Sequence, residues 1–249
     1  MKREKPEPLI EARGLWKNFG GKQVHKGIDL TIHKGEVLTL MGGSGSGKSV
    51  LLRCLIGLER PDKGEIWFRG QDITKLDEEA LTDVRKQIAY VFQYGALFDS
   101  LTIEDNLSYP LREHTQLTDK EMTKKVKHAL GQVGLDGNQL LFPSDLSGGM
   151  QRRVGVARSI ILGPEVILYD EPTTGLDPYN TKQILKIILD LQKQGATSVL
   201  VTHDMSSIFA VTDRVAFLKD GKIRAEGTAD EIRKSDDPDL HAFIHGETM

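Results

Sequence analysis

The stretch "LTLMGGSGSGKSVLLRCLIGL", residues 38–58, leaves the chain few ways to fold. An apolar strand candidate runs into Gly42, Gly43, Ser44, Gly45, Ser46, Gly47, Lys48 and Ser49, which fit the spacing Gly-x4-Gly-Lys-Ser/Thr, and an apolar helix follows that stops at Gly57. Glycines at these positions let the backbone curl until successive N–H groups face one centre, and the helix N-terminus adds the positive end of its dipole. That centre suits the β-phosphate of a nucleotide. Lys48 is then placed to bridge the β- and γ-phosphates, and the Ser49 hydroxyl to ligate Mg²⁺. A strand, a glycine-rich turn and a helix in this order belong to an open α/β sheet, which binds its ligand at the carboxyl ends of its strands.

The rest of the chain is consistent with such a sheet. Residues 9–41 alternate as strands do, with "IDLTI" and "EVLTLM" separated by a turn that contains Gly35. "PDKGEIWFRGQDI" reads as a short hairpin, and "IAYVFQ" as a strand leading into residues 98–163, where helical periodicity and clustered Lys and Glu suggest a helical insertion. Strand character returns at "EVILYDEP" and "TSVLVTHD". The helix between them has Asp177 as N-cap, Pro178 at its first position, Ile184, Leu185, Ile187, Ile188 and Leu191 on one side, and Gly195 past its end. Apolar strands alternating with helices argue for a mostly parallel sheet covered on both faces.

Composition narrows the partners. With 249 residues, 28% charged side chains and a net charge of -3, the chain has no global field to draw it to nucleic acid or an acidic membrane. Its single cysteine, Cys54, lies in an apolar run; it excludes an internal disulfide and suits core packing in a reducing compartment. No stretch approaches the roughly 18 apolar residues of a membrane span, and "MKREKPEPLIEARG" has no apolar leader core. The expectation is a soluble cytosolic chain that serves a membrane only through another subunit.

Several further residues gain meaning once a phosphate loop is granted. "VILYDEP" ends in two carboxylates at the ligand edge of the sheet, where Asp170 would hold Mg²⁺ through water and Glu171 would polarise the attacking water. Taken alone, they are also a solvated strand end. His203 ends the strand "VLVTH" and so lies along the same edge, where it could contact the γ-phosphate, although a histidine at a strand end is commonly an ordinary surface residue. Gln93 likewise ends the strand "IAYVFQ", and its amide could touch both Mg²⁺ and the lytic water; the bland alternative is a turn. "LSGGMQRRVGVARSIILGP" carries Val154, Ala157 and Ile161 at helical spacing and ends at Gly163-Pro164, which puts Ser147, Gly148 and Gly149 at a helix N-terminus suited to a second phosphate. Without the other motifs it would be a capped helix.

The phosphate loop, Gln93, "LSGGM", "ILYDEP", "TGLD" and His203, in this order over essentially the whole chain, resemble the ATP-binding subunits of ABC transporters. The resemblance implies a P-loop NTPase cassette: a RecA-like, mostly parallel sheet with an antiparallel β subdomain and a helical insertion. It implies a single nucleotide-binding domain over 9–245, with a helical subdomain at about 98–163 and tails at 1–8 and 246–249. In that family two chains sandwich two ATP molecules head to tail. Carried over by position, Ser147 and Gly149 bind the γ-phosphate of ATP held by the partner, Phe19 stacks on adenine, and Asp177 works at the dimer interface. Phe19 stands where Tyr is usual, Met150 where Gln is commoner, and Val50 where Ser or Thr often follows the loop, so Val50 offers the α-phosphate only its backbone N–H.

The stretches "GGSGSGKSVLLR", "YGALFDSLTIEDNLSYPLREHT" and "LSGGMQRRVGVARSI" are similar to the ATPases of MCE-associated lipid transporters, the Mla phospholipid systems. This narrower resemblance implies a homodimer on the cytoplasmic face of the inner membrane and a multi-pass permease of MlaE type docking near residues 94–112. It also implies an MCE-domain protein and a possible STAS-domain regulator on the helical insertion. The tail "DDPDLHAFIHGETM" is too short for a regulatory domain, and docking on a neighbouring chain stays open. Competing readings are an ABC transporter for another cargo (amino acid or lipoprotein), a non-transport ABC ATPase, and a plain P-loop kinase or GTPase. The last leaves "LSGGM" without a purpose. The second expects coiled coils, tandem cassettes or a basic surface, none of which the sequence carries.

Overall fold

The computed structural model describes residues 7–245. Of the expected tails, residues 1–6 and 246–249 lie outside the described residues. Among the described residues the strands form two sheets. β1 (Pro8–Phe19), β2 (Lys22–His33), β4 (Lys63–Phe68) and β5 (Gln71–Asp72) make an antiparallel sheet in the order β2-β1-β4-β5. β3 (Val37–Met41), β6 (Ile88–Val91), β7 (Val166–Asp170), β8 (Thr197–Val201), β9 (Arg214–Lys219) and β10 (Lys222–Thr228) make the second, in the order β10-β9-β3-β8-β7-β6. Its strands run parallel except for β10. β2 and β3, read as strands around the Gly35 turn, fall in different sheets. The turn therefore passes the chain from one sheet to the other rather than closing a hairpin.

The central strands are apolar throughout because both faces are covered, as a parallel sheet requires. On β7, Val166 and Leu168 face a core shared with α1 (Lys48–Leu55), α2 (Glu78–Gln87) and the antiparallel sheet. Ile167 and Tyr169 face the opposite core, built with α3 (Ile103–His114), α4 (Asp119–Gln132), α5 (Gly148–Ile160) and α6 (Pro178–Lys193). Cys54 lies wholly in the first core, where burial pushes its thiol pKa up to about 12, so it packs as an apolar side chain. The helical insertion resolves into α3, α4 and α5, joined by loops. Asp177 caps α6 by accepting the Asn180 amide, and all five expected apolar residues of that helix are buried.

A third core forms around Met41, Phe217, Ile232 and Leu240, where α7 (Met205–Val211), α8 (Ala229–Arg233) and α9 (Pro238–His245) cover β9. The Phe217 and Phe243 rings lie 5.4 Å apart, and Lys219 pairs with Asp239 at 2.6 Å. The described part of the C-terminal segment thus packs on its own chain.

Candidate functional site

The phosphate loop is shaped by contacts that only glycine permits. Gly47 has φ of 101°, and a Cβ there would lie 2.6 Å from Val24 Cγ1 and 2.8 Å from His25 Nε2. At Gly42 a Cβ would come within 2.4 Å of the Leu218 carbonyl oxygen. The loop is therefore clamped between β2 and the β9–β10 hairpin. His25 is fully buried; burial holds its pKa below the ordinary value, and its neutral Nε2–H donates to the Gly47 carbonyl at 3.0 Å.

Lys48 opens α1 and is buried, its Nζ donating to the Gly42 and Gly43 carbonyls at 2.8 and 3.0 Å. Burial lowers its pKa, while Glu171 and Asp170 pull it back up. The Ser46 hydroxyl is buried in the same loop with no partner. An ammonium, an orphaned hydroxyl and a helix N-terminus converging on one curl fit a phosphate chain.

Asp170 ends β7, and its Oδ1 accepts from Ser49 Oγ at 2.7 Å while Oδ2 accepts from Tyr90 OH at 2.7 Å. Burial, then the bond to this carboxylate, push the Tyr90 phenol pKa up, so it is the donor. A hydroxyl and a carboxylate meeting beside the phosphate loop suit Mg²⁺, which takes few protein oxygens and completes its shell with water and substrate phosphate. Among the described residues, no group of three or more His, Cys, Asp or Glu side chains is placed to hold a metal ion.

The next residue turns the chain. Glu171 has φ of 49°, uncommon for a non-glycine residue, and its amide donates to the Val201 carbonyl at 2.9 Å. Thr174 Oγ1 donates to Glu171 Oε2 at 2.9 Å, and His203 Nδ1 stands 3.5 Å from Oε1. Gln93 and His203 each lie two residues past a strand, since pairing of β6 ends at Val91 opposite Tyr169 and that of β8 at Val201 opposite Asp170. Both therefore stand in loops at the carboxylate edge rather than within the strands.

Phe19 ends β1 with its ring exposed and the Lys17 ammonium 4.8 Å from its centroid. Val50 is half-buried and packs on the first core. Ser147 and Gly148 are exposed at the start of α5, Ser147 Oγ accepting from the Met150 amide at 3.3 Å. Gly149 is buried against Asn180, whose side-chain amide donates to Asp177. Among the described residues, no hydrogen bond or ion pair joins Ser147, Gly148 or Gly149 to Lys48, Ser49, Asp170, Glu171 or His203. The sequence-predicted residues thus separate into one assembled group and a second, exposed turn that abuts the first turn of α6.

α5 connects this turn with the loop that carries Gln93. Arg152 donates to the Thr174 carbonyl at 3.1 Å and lies 5.0 Å from the Tyr94 ring centroid, while Gly155 packs directly on Gly95. Around that loop Phe92, Tyr94, Phe98 and Tyr109 are exposed, with Leu140 and Phe142 next to α3. No helix among the described residues is long and apolar enough to cross a membrane.

Sequence reading assigned no role to Tyr90 and His25, which lie outside the motifs, or to Thr174 and Arg152, which lie within quoted stretches; each touches a residue of the site. The β9–β10 hairpin was missed as well, although "KDGK" carries the Asp-Gly turn signal, with Asp220 and Gly221 at φ of 52° and 79°.

Residues 25–174 match the ABC transporter family. The chain is 40% identical over 239 residues to the intermembrane phospholipid transport system ATP-binding protein MlaF of Escherichia coli K12, covering 96% of this chain and 89% of that protein. It is likewise 40% identical over 241 residues to the probable ribonucleotide transport ATP-binding protein mkl of Mycobacterium tuberculosis H37Rv, covering 96% of this chain and 67% of that one. Among solved structures it resembles a dimeric post-hydrolysis state of the ATP-binding cassette MJ0796 bound to ADP and Pi. That likeness has a TM-score of 0.82 at 31% identity and covers 89% of this chain and 99% of the other. A family match over more than half of the sequence, and relatives aligned over nearly all of it, establish that this chain belongs to the ABC transporter family as an ATP-binding subunit.

Proposed function

We propose that this chain hydrolyses ATP as one half of a homodimer and uses the cycle to drive a phospholipid transporter. A single nucleotide-binding domain spans 9–245, with its helical subdomain at about 98–163. Each site takes its phosphate loop from one copy and Ser147, Gly148 and Gly149 from the other. The observation that carries the reading is the exposed α5 N-terminus, which makes no hydrogen bond or ion pair with the phosphate loop of its own chain.

Phe19 stacks on adenine, the Val50 backbone N–H meets the α-phosphate, and the loop amides with Lys48 hold the β- and γ-phosphates. Ser49, Asp170 and Gln93 would hold Mg²⁺, which when bound neutralises charge on the phosphoryl oxygens. Glu171 polarises the attacking water. His203 contacts the γ-phosphate, and Asp177 meets the partner copy. The strained backbone of Glu171 and its bond from Thr174 fix which oxygen faces the reacting centre. Binding across two copies closes the dimer and hydrolysis reopens it.

The exposed aromatic surface around 94–112 is where a multi-pass permease of MlaE type docks, holding the ATPase at the cytoplasmic face of the inner membrane. An MCE-domain protein and a STAS-domain regulator complete the assembly. Identity to MlaF, named for phospholipid transport, supports the cargo; equal identity to mkl, named for ribonucleotide transport, supports a second cargo reading. Two experiments test the proposal. Glu171→Gln should form an ATP-dependent dimer on size-exclusion chromatography, and a chain that stays monomeric with ATP contradicts the dimer mechanism. Mass spectrometry of the complex purified with its native permease should find enriched phospholipid; enriched ribonucleotide without lipid would transfer the assignment to the second cargo.

A further inference from the structure

Both oxygens of the Asp170 carboxylate are engaged, and only one partner is explained by the site. Ser49 Oγ on Oδ1 belongs to the phosphate loop. Tyr90 OH on Oδ2 comes from β6, outside every motif. Tyr90 pairs with Leu168 on the parallel neighbouring strand, two residues before Asp170, and its side chain reaches along the sheet to the carboxylate at the strand end. The ring is half-buried, packed on the first core and 4.6 Å from the Phe92 ring, and its backbone carbonyl accepts from Ser159 Oγ on α5 at 3.2 Å. A rigid donor therefore approaches the carboxylate on the oxygen that Ser49 does not use.

A carboxylate at a strand end, next to a residue at φ of 49°, could rotate about its side-chain torsions. Two donors on separate oxygens fix its plane. We infer that Tyr90 is a positioning residue for Asp170, holding Oδ2 so that Oδ1 stays turned to Ser49 and to the cation that this pair would bind. Tyr90 touches neither substrate nor cation. Its role is that of an outer partner which orients a carboxylate that would hold the cation, and loss of such a partner weakens metal affinity by about tenfold or more. The inference rests on the proposed cation site at Ser49 and Asp170.

The test uses Tyr90→Phe in the full chain, which keeps the ring and removes only the hydroxyl. Free Mn²⁺ is followed by electron paramagnetic resonance as it is titrated into protein loaded with a non-hydrolysable ATP analogue. Tyr90→Phe should bind Mn²⁺ about tenfold more weakly than wild type, while its affinity for the analogue in EDTA and its unfolding midpoint stay unchanged. In an Asp170→Asn chain, adding Tyr90→Phe should cost nothing further, because the hydroxyl acts through that carboxylate. Equal Mn²⁺ affinity in Tyr90→Phe and wild type overturns the inference, as does a full-sized effect in the Asp170→Asn chain. If the loaded wild type holds Mn²⁺ no better than the free analogue does, the cation site itself falls, and the role of Tyr90 with it.

Discussion

His25 shows how one side chain ties stability to the site. Burial is the largest cause of its lowered pKa, the neighbouring Lys17 adds to it, and the bond to Gly47 opposes it. The unfolded chain, with the ordinary value of 6.5, therefore takes up the proton first. The stabilisation is full above 6.5 and is lost as pH falls toward the folded value. Unfolding midpoints measured from about pH 8 to about pH 5 should fall less steeply in His25→Leu than in wild type; equal slopes would remove His25 from the acid response. Catalysis makes a separate demand on Glu171. Glu171→Gln should lower the ATPase rate by about 100-fold or more, the range for loss of a positioned general base, without weakening ATP binding. A rate within a few-fold of wild type would assign the base elsewhere.

At the scale of elements, α5 links the signature turn to the loop that carries Gln93 and to the loop after Glu171. Gly155 lies so close to Gly95 that a Cβ would fall 2.6 Å from its Cα, and both partners are backbone. Gly155→Ala should cost about 1–3 kcal/mol, read as a lowered unfolding midpoint, because neither backbone can yield without moving the Gln93 loop. An unchanged midpoint would mean that the loop moves freely on the helix. Much of this architecture was legible in the sequence. The phosphate loop, the Asp177 cap with its five buried apolar residues and the break at Gly163-Pro164 are set by local chemistry, so spacing alone finds them. Tyr90 on Asp170, Arg152 on Tyr94 and His25 on Gly47 were not, because they depend on which elements, distant in sequence, lie side by side. The same limit hid the passage of the chain between sheets after β2. That the β9–β10 hairpin went unread has a different cause, since its Asp-Gly turn was visible.

For the whole molecule, the central claim is that no chain completes a site by itself. Ser147 and Gly148 are exposed at the α5 N-terminus and make no hydrogen bond or ion pair with the assembled group, so under the proposed function their phosphate comes from the site of a second copy. Two defects then separate the possibilities. Lys48→Ala removes the ammonium from the phosphate loop. Gly148→Asp sets a negative charge where a phosphate would bind, at a position where a Cβ meets nothing within 4 Å and a helix N-terminus tolerates an acid. Both are made in the Glu171→Gln background, mixed, and the heterodimers isolated with ATP. If sites form across copies, each homodimer traps no ATP, whereas the heterodimer combines both defects in one site, leaves the other intact, and traps one ATP. A heterodimer as empty as its parents would show that each chain builds its site from its own residues and would contradict the account.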